Sequence, residues 1–310
     1  MKISSCRASF RKILHEAQKV VVITGAGVSA ESNIPTFRGA GGYWRRYEAT
    51  SLATPGAFRS NPSLVWEFYH YRRELVRKCS PNNGHKALAL LEQKFINDFF
   101  LITTNSDGLH QRAGNKHVLE LHGALYNVKC TVCSYKGINN DSPIVTSLEG
   151  KGGPDENQTP AMIPIKDLPA CPECGGLLRP DIVWFGENLD HGAIEKASKK
   201  AEEADLVLIV GTTSVVYPAA MIAPNAANRG VPVAEFNIEH SNHTSEFQFH
   251  FQGPSGTTLP KMLGFQGRDL KTATRASWAT RATCCPFGAF QYGLVFAKFN
   301  CFQYCVSHNL

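Results

Sequence analysis

The sequence predicts an α/β fold: a Rossmann-like lobe built on a parallel sheet, with a smaller lobe formed by two insertions. Three observations carry this reading. Short apolar, β-branched runs each stop at small or polar residues, helical stretches separate them, and two segments break the alternation. Parallel strands are covered on both faces, so they read as continuous apolar runs, and ligands gather at their carboxyl ends.

Residues Ser9–Lys19 read as an amphipathic helix with Phe10, Ile13, Leu14 and Ala17 on one face. Val20–Ile23 is the first strand and stops at Thr24-Gly25-Ala26-Gly27. Further strands are expected at Asp98–Thr103, at Asp205–Val210 before Gly211-Thr212-Thr213-Ser214, and at Val231–Phe236 before Asn237. His85–Lys94 and His191–Ala204 are helical stretches between them. The first insertion, 45–79, is helical and rich in aromatics; the second, 126–177, is rich in Gly, Pro and Asn and carries cysteines. The lobe carrying the sheet then comprises about 14–44, 80–125 and 178–265, within a domain spanning 8–265.

From 266 to 310 the composition changes, with one acid, Asp269, several bases and a late aromatic cluster without periodicity. This tail is expected to be dispensable for nucleotide binding, its exposed aromatics lowering solubility.

The chain of 310 residues has 43% hydrophobic and 19% charged residues and a net charge of +6. Those values suit a globular protein with a sizeable core and acidic substrates, and the charge is too small to argue for nucleic acid. No apolar run reaches the ~18 residues that a membrane helix needs, so neither a nucleic-acid nor a membrane partner is expected. Lys2, Arg7, Arg11 and Lys12 precede the first acid, Glu16. That pattern fits a short mitochondrial presequence and equally a basic first helical turn.

Of ten cysteines, four form two pairs, Cys130-x-x-Cys133 and Cys171-x-x-Cys174, separated by 37 residues. Two such pairs supply four thiolates to a tetrahedral structural zinc, and a closed set leaves no open position for catalysis. The alternative, a redox role for one pair, leaves the second pair unexplained.

The glycine-rich strand end, with Gly25 for a tight turn, Gly27 for close approach of a pyrophosphate and Ala30 as a third small residue, points to a dinucleotide. Alone it is a weak signal, since such strand ends are often plain turns. The ribose-binding acid of an ordinary dehydrogenase, some 20 residues on, is not evident. His122, after the apolar Val118–Leu121, is one of eleven histidines, and its chemistry alone does not single it out.

The longer string GAGVSAESNIPTFRGAGGYW, residues 25–44, resembles the sirtuin signature. So do Thr104-Asn105-Ser106-Asp107, His122-Gly123, the two CxxC pairs, Phe185-Gly186-Glu187, Gly211–Ser214 and Phe236-Asn237, all in family order from residue 10 to about 262. The resemblance implies an NAD-consuming protein-lysine deacylase with one structural zinc, acting on acyl-lysine proteins. The acyl-lysine oxygen attacks the nicotinamide ribose, nicotinamide leaves, and free lysine and 2′-O-acyl-ADP-ribose result. His122 would be the general base. NAD would be held by Gly25, Ala26, Gly27, Ala30, Glu31, Thr36, Phe37, Arg38, Tyr43, Trp44, Thr104, Asn105, Ser106 and Asp107. Gly211, Thr212, Thr213, Ser214, Asn237, Ile238, Glu239 and Ser255 would hold its adenosine half.

The sequence departs from the family at Thr104, where glutamine is usual, and at Ser106, where isoleucine is usual; Thr104 is too short to span the glutamine's reach. Ser255 replaces a cysteine in a position expected to bind through its backbone. Ile182–Glu187, with Val183, Phe185, Gly186 and Glu187, offers an extended edge for a substrate peptide. In Trp66–Arg73, Tyr69 and Arg72 are three apart and share a helical face. There a guanidinium can grip a carboxylate while the phenol adds a hydrogen bond. The plainer reading is a snorkelling arginine. Together with a small Ala49 that would widen the pocket, the pair resembles the class III branch, specialised for succinyl, malonyl and glutaryl groups. The resemblance implies a mitochondrial location, with cytosol and nucleus also.

Overall fold

The computed structural model describes residues 3–37, 39–95 and 98–271. Six strands form one parallel sheet: β1 (Val20–Thr24), β4 (Phe99–Thr103), β5 (Val118–Glu120), β9 (Leu206–Val210), β10 (Val233–Asn237) and β11 (Phe249–Gln252). Their order is β11-β10-β9-β1-β4-β5. β1 and β9 are buried at every residue, which is why their sequences are unbroken apolar runs. The chain passes from β1 outward to β5, then returns to β9 on the other side of β1. A crevice opens at such a reversal.

One face of the sheet is covered by α1 (Arg7–Glu16), α6 (Asn83–Lys94) and α10 (Ser255–Leu263), through a core that includes Phe10, Leu88, Phe236 and Leu259. The other face carries α8 (His191–Glu202) and α9 (Ile222–Asn228), packed through Ala197, Ala201, Ile222 and Ala226. The expected elements are all present, with some ends as expected and others displaced by up to three residues. The basic N-terminal segment from Arg7 onward is a folded helix. Phe10 is fully buried, 5.1 Å from the Phe251 ring, and Arg11 Nε donates to the Met262 carbonyl. Ser4 pairs with Phe249 and so covers the outer edge of β11.

The smaller lobe joins both insertions in one core. It starts with a two-strand hairpin, β2 (Tyr43–Trp44) and β3 (Tyr47–Glu48), followed by α3 (Ala49–Leu52), α4 (Pro55–Ser60) and α5 (Pro62–Lys78). Thr54 and Asn61 cap α4 and α5 by accepting from Ala57 N and Leu64 N, each at 3.0 Å, with Pro at the first helical position of both. The cysteine module is a three-stranded antiparallel sheet, β7-β6-β8, made of β6 (Gly123–Cys130), β7 (Lys136–Ile138) and β8 (Leu178–Ile182). It extends past 126–177 at both ends, so the module runs directly into the larger lobe. Two short helices, α2 (Ala26–Ala30) and α7 (Leu109–Ala113), complete the set.

The tail begins inside the described region: residues 267–271 are helical, and Leu270 packs into the core beside Leu263. The rest of the tail, 272–310, with its aromatic cluster, lies outside the described residues.

A buried ion pair ties the two insertions together. Arg45, in a left-handed conformation, donates from NH2 to Glu67 Oε2 at 2.9 Å, with both side chains 1% exposed. Glu67 Oε1 accepts from Ala161 N at 2.7 Å, and Arg45 Nε reaches Gly153 O at 2.9 Å. Removing one partner strands a buried charge. Glu67→Ala is therefore expected to cost about 3–5 kcal/mol, read as a lower denaturation midpoint; an unchanged midpoint would refute it.

Candidate functional site

A cleft of about 390 Å³ lies at the carboxyl ends of β1, β4 and β9, between the lobes. It is lined by Ala26, Gly27, Thr36, Phe37, Thr104, Asn105, Ser106, Asp107, His122, Gly211, Thr212, Thr213 and Asn237. Tyr69, Arg72, Val183, Phe185, Gly186 and Glu187 also face it. Residues from distant parts of the sequence thus converge on one cavity.

The loop after β1 rests on the loop after β9. Gly27 N donates to Gly211 O at 2.7 Å, and Gly25 N to Val210 O at 3.1 Å. A Cβ at Gly27 would stand 2.7 Å from Gly211 O, and one at Gly25 2.6 Å from Thr212 Cβ. Gly25 itself is extended, with φ −133°. Gly27 is required by contact between two backbones and Gly25 by the Thr212 side chain, whereas the sequence suggested a tight turn and room for a ligand.

His122 follows β5 and immediately precedes β6. Its Nδ1 lies 3.0 Å from the Thr104 carbonyl oxygen, an acceptor, so Nδ1 carries the proton and Nε2 is left basic. Burial lowers the His122 pKa from its usual value, partly offset by that hydrogen bond. Thr104 thus acts on His122 through its backbone, and its side chain turns back to Thr24 O at 3.3 Å. The short side chain does not weaken the hold on the histidine. Gly123 has φ +80°, and a Cβ there would collide with the Asp181 carbonyl on β8.

Asn105 and Asp107 are joined by Ser29, a residue the sequence reading passed over. Asn105 Nδ2 donates to Ser29 Oγ at 3.1 Å and to Gly25 O at 2.9 Å; Ser29 Oγ donates to Asp107 Oδ2 at 2.7 Å. Asp107 Oδ1 accepts from Leu109 N at 2.8 Å. Burial raises the Asp107 pKa, opposed by these donors and by Arg72 and Arg112. Behind this network lie two buried histidines. His110 is pushed down to about 3 by burial, and His85 is also held well below its usual range. Their Nε2 atoms lie 2.9 Å from Thr24 Oγ1 and 3.4 Å from Ser29 Oγ respectively. Both are neutral at physiological pH.

On the cleft wall Arg72 is 8% exposed; among the described residues no carboxylate forms an ion pair with it, and the Asp107 charge acts on it only from beyond contact. Its terminal nitrogens stand 3.4 and 3.5 Å from Pro35 O, long for hydrogen bonds, and its guanidinium lies 4.3 Å over the Phe37 ring. Burial lowers its pKa, yet an arginine stays charged. Tyr69 accepts a 2.8 Å hydrogen bond from Trp184 Nε1, and burial pushes its pKa up to about 12. Its own proton is available to a ligand.

Several expected contacts stand apart from the cleft. Ala49 is buried in the small-lobe core, and Ala53, four residues on, lines the cavity instead. Glu31 accepts from Ser255 Oγ at 2.6 Å and Gly256 N at 3.0 Å, holding the start of α10, so Glu31 and Ser255 satisfy each other. Trp44 is a core residue whose Nε1 donates to Gly152 O at 3.0 Å, while Tyr43 is exposed and donates to Glu48. Ser214 has φ +51° and turns its amide to Thr212 Oγ1. Ala30, Ile238 and Glu239 lie outside the cavity lining, and Arg38 lies outside the described residues. Along the expected peptide edge the amides of Val183, Phe185 and Glu187 donate to His122, Ala53 and Trp184 carbonyls, and that of Trp184 to Glu187 Oε2. Glu187 also grips Arg179 at 2.6 and 2.9 Å, a structural engagement. Beyond Ser29 and Ala53, the reading missed Trp184 and Val215-Val216-Tyr217, which also line the cavity but carry no motif signal.

The Sγ atoms of Cys130, Cys133, Cys171 and Cys174 all lie within 4.8 Å of one another. Cys130 to Cys174 is 3.5 Å and Cys133 to Cys171 is 3.6 Å. Bonds of ~2.3 Å to a tetrahedral zinc give edges of roughly 3.8 Å, so the set fits that ion with no position left for substrate.

The model described as "Sir2 family" matches residues 25–218, and the chain belongs to that family. It is 56% identical over 265 residues to the "NAD-dependent protein deacylase sirtuin-5, mitochondrial" of Canis lupus familiaris, covering 84% of this chain and 86% of that one. It is also 56% identical to the "NAD-dependent protein deacylase" of Daphnia pulex, covering 84% and 97%. A crystal structure of a Sir2 homolog–NAD complex superposes with a TM-score of 0.73 at 35% identity, covering 88% of this chain and 98% of that one.

Zinc is expected at one per chain, with its removal unfolding the β6–β8 module before the larger lobe. Structural zinc contributes on the order of 10 kcal/mol to small modules. A chelated, metal-free protein with an unchanged melting profile would exclude the site.

Proposed function

We propose that this NAD-dependent protein deacylase acts on lysines carrying acidic acyl groups, namely succinyl, malonyl and glutaryl, and acts poorly on acetyl-lysine. The observation that carries the reading is Arg72: a buried guanidinium at the cleft wall that forms no ion pair among the described residues. An unpaired buried charge is costly, and an acidic acyl group supplies the missing partner. Tyr69, three residues earlier, offers its hydroxyl to the same carboxylate.

NAD, the co-substrate, supplies an activated ribose carbon that captures the acyl oxygen. The chain's residues do the rest. Asn105 and Asp107, pre-set by Ser29, hold the nicotinamide end. His122 Nε2 accepts the proton of a ribose hydroxyl, kept basic by the Thr104 carbonyl at Nδ1. Substrates are acylated proteins presented at the cleft mouth beside Phe185 and Gly186. The mitochondrion is the compartment that the sirtuin-5 relatives' descriptions support.

A general base must be neutral to work. Since burial lowers the His122 pKa, kcat/KM should hold on acidification to below the usual value of ~6.5 and then fall. His122→Ala should lower turnover by about two or more orders of magnitude with zinc retained. Near-normal turnover would remove His122 from the reaction.

Steady-state kcat/KM on matched succinyl and acetyl peptides tests the acyl preference. Arg72→Met should lose desuccinylation by the equivalent of about 2–5 kcal/mol while acetyl activity holds or rises, and Tyr69→Phe should do so more weakly. Parallel losses on both peptides would make Arg72 structural.

A further inference from the structure

The wall that carries Tyr69 contains a second polar group aimed at its hydroxyl. Trp184 is 2% exposed, and its Nε1 donates to the Tyr69 oxygen at 2.8 Å. Two side chains pack on the indole. Arg179 lies 3.4 Å over the ring and is gripped by both oxygens of Glu187, while the Phe58 ring packs at 5.2 Å. Glu187 Oε2 also accepts from Trp184 N at 2.9 Å, which fixes the backbone beneath the ring.

An indole nitrogen can only donate, whereas a phenol oxygen both accepts and donates. With an N–H seated on its oxygen, the phenol directs its own proton elsewhere, and hydrogen bonds in series strengthen one another. Among the described residues that proton meets no acceptor, and the cleft lies beside it.

We propose that Trp184 is a positioning residue for acyl selection: its indole N–H commits the Tyr69 hydroxyl to donating toward the acyl carboxylate held by Arg72. This rests on the assignment of Tyr69 and Arg72 above. Arg179 and Glu187 belong to the same device, since they set the indole plane.

Trp184→Phe keeps an aromatic ring for Arg179 and Phe58 and deletes the donor. Replacing Trp184 by benzothienylalanine deletes it with almost no change of shape, should phenylalanine disturb folding. In either variant, with zinc content and NAD affinity checked, the ratio of succinyl to acetyl kcat/KM should fall about threefold to tenfold, the range for one neutral hydrogen bond. The loss should appear mainly in the succinyl-peptide KM. In a Tyr69→Phe background the same substitution should change the ratio by less than about twofold, because the hydroxyl it acts on is gone. Equal losses on both peptides, or a full effect without the Tyr69 hydroxyl, would overturn the role of Trp184 and leave Arg72 untouched. A wild-type protein with no succinyl preference would overturn both, so the two failures are told apart.

Discussion

The site depends on one contact: the backbone of Gly27 against that of Gly211, closed by a 2.7 Å hydrogen bond. It locks the loop after β1 to the loop after β9 at the point where strand order reverses. The ladder fixes the strands up to Thr24 and Val210, and this contact fixes the two loops beyond them. Ser29 is held two residues further on in α2, and from Ser29 the positions of Asn105 and Asp107 follow through hydrogen bonds of 3.1 and 2.7 Å. A side chain at either glycine would force the loops apart and disorganise residues that never touch it.

The cleft divides its chemistry by charge. A carboxylate, Asp107, is buried among donors, and a guanidinium, Arg72, is buried against aromatic rings. The same cavity holds a histidine whose proton is assigned by a carbonyl. None of these groups is at ease where it sits, and each is stabilised by what is expected to bind beside it. The buried Arg45–Glu67 pair shows the contrast, since there the chain supplies both charges and the result is purely architectural.

Much of this was legible in the sequence, for identifiable reasons. Strands buried on both faces must be apolar throughout, so VVVIT and LVLIV declared themselves, and only their ends were uncertain. The thiolates were legible because four cysteines in two CxxC pairs answer to a single ion. β11 was not, since FHFQ is short and alternates. Nor could sequence distinguish a glycine that faces a ligand from one that faces another backbone, as at Gly27. Ala49 and Ala53 are the same residue four positions apart, and only packing decides which meets the cavity. Thr104 was weighed by its side chain, whereas its contribution to His122 comes from its carbonyl, an atom that every residue possesses. His122 needed the motif to be noticed among eleven histidines.

The junction at Gly123 has a mechanical side. The first zinc-binding thiol, Cys130, ends the strand that starts beside His122, and Val183 at the end of the neighbouring strand donates to the His122 carbonyl at 3.0 Å. β6 and β8 are thus two rails, clamped together at the far end by the cysteines and holding the histidine's backbone at the near end. At ~3.4 Å per residue β6 is some 24 Å long and the shorter β8 some 14 Å. Over such a lever, a small splaying at the thiolates would swing the imidazole away from the Thr104 carbonyl. The cysteine cluster touches no substrate, yet it bears on the aim of the base.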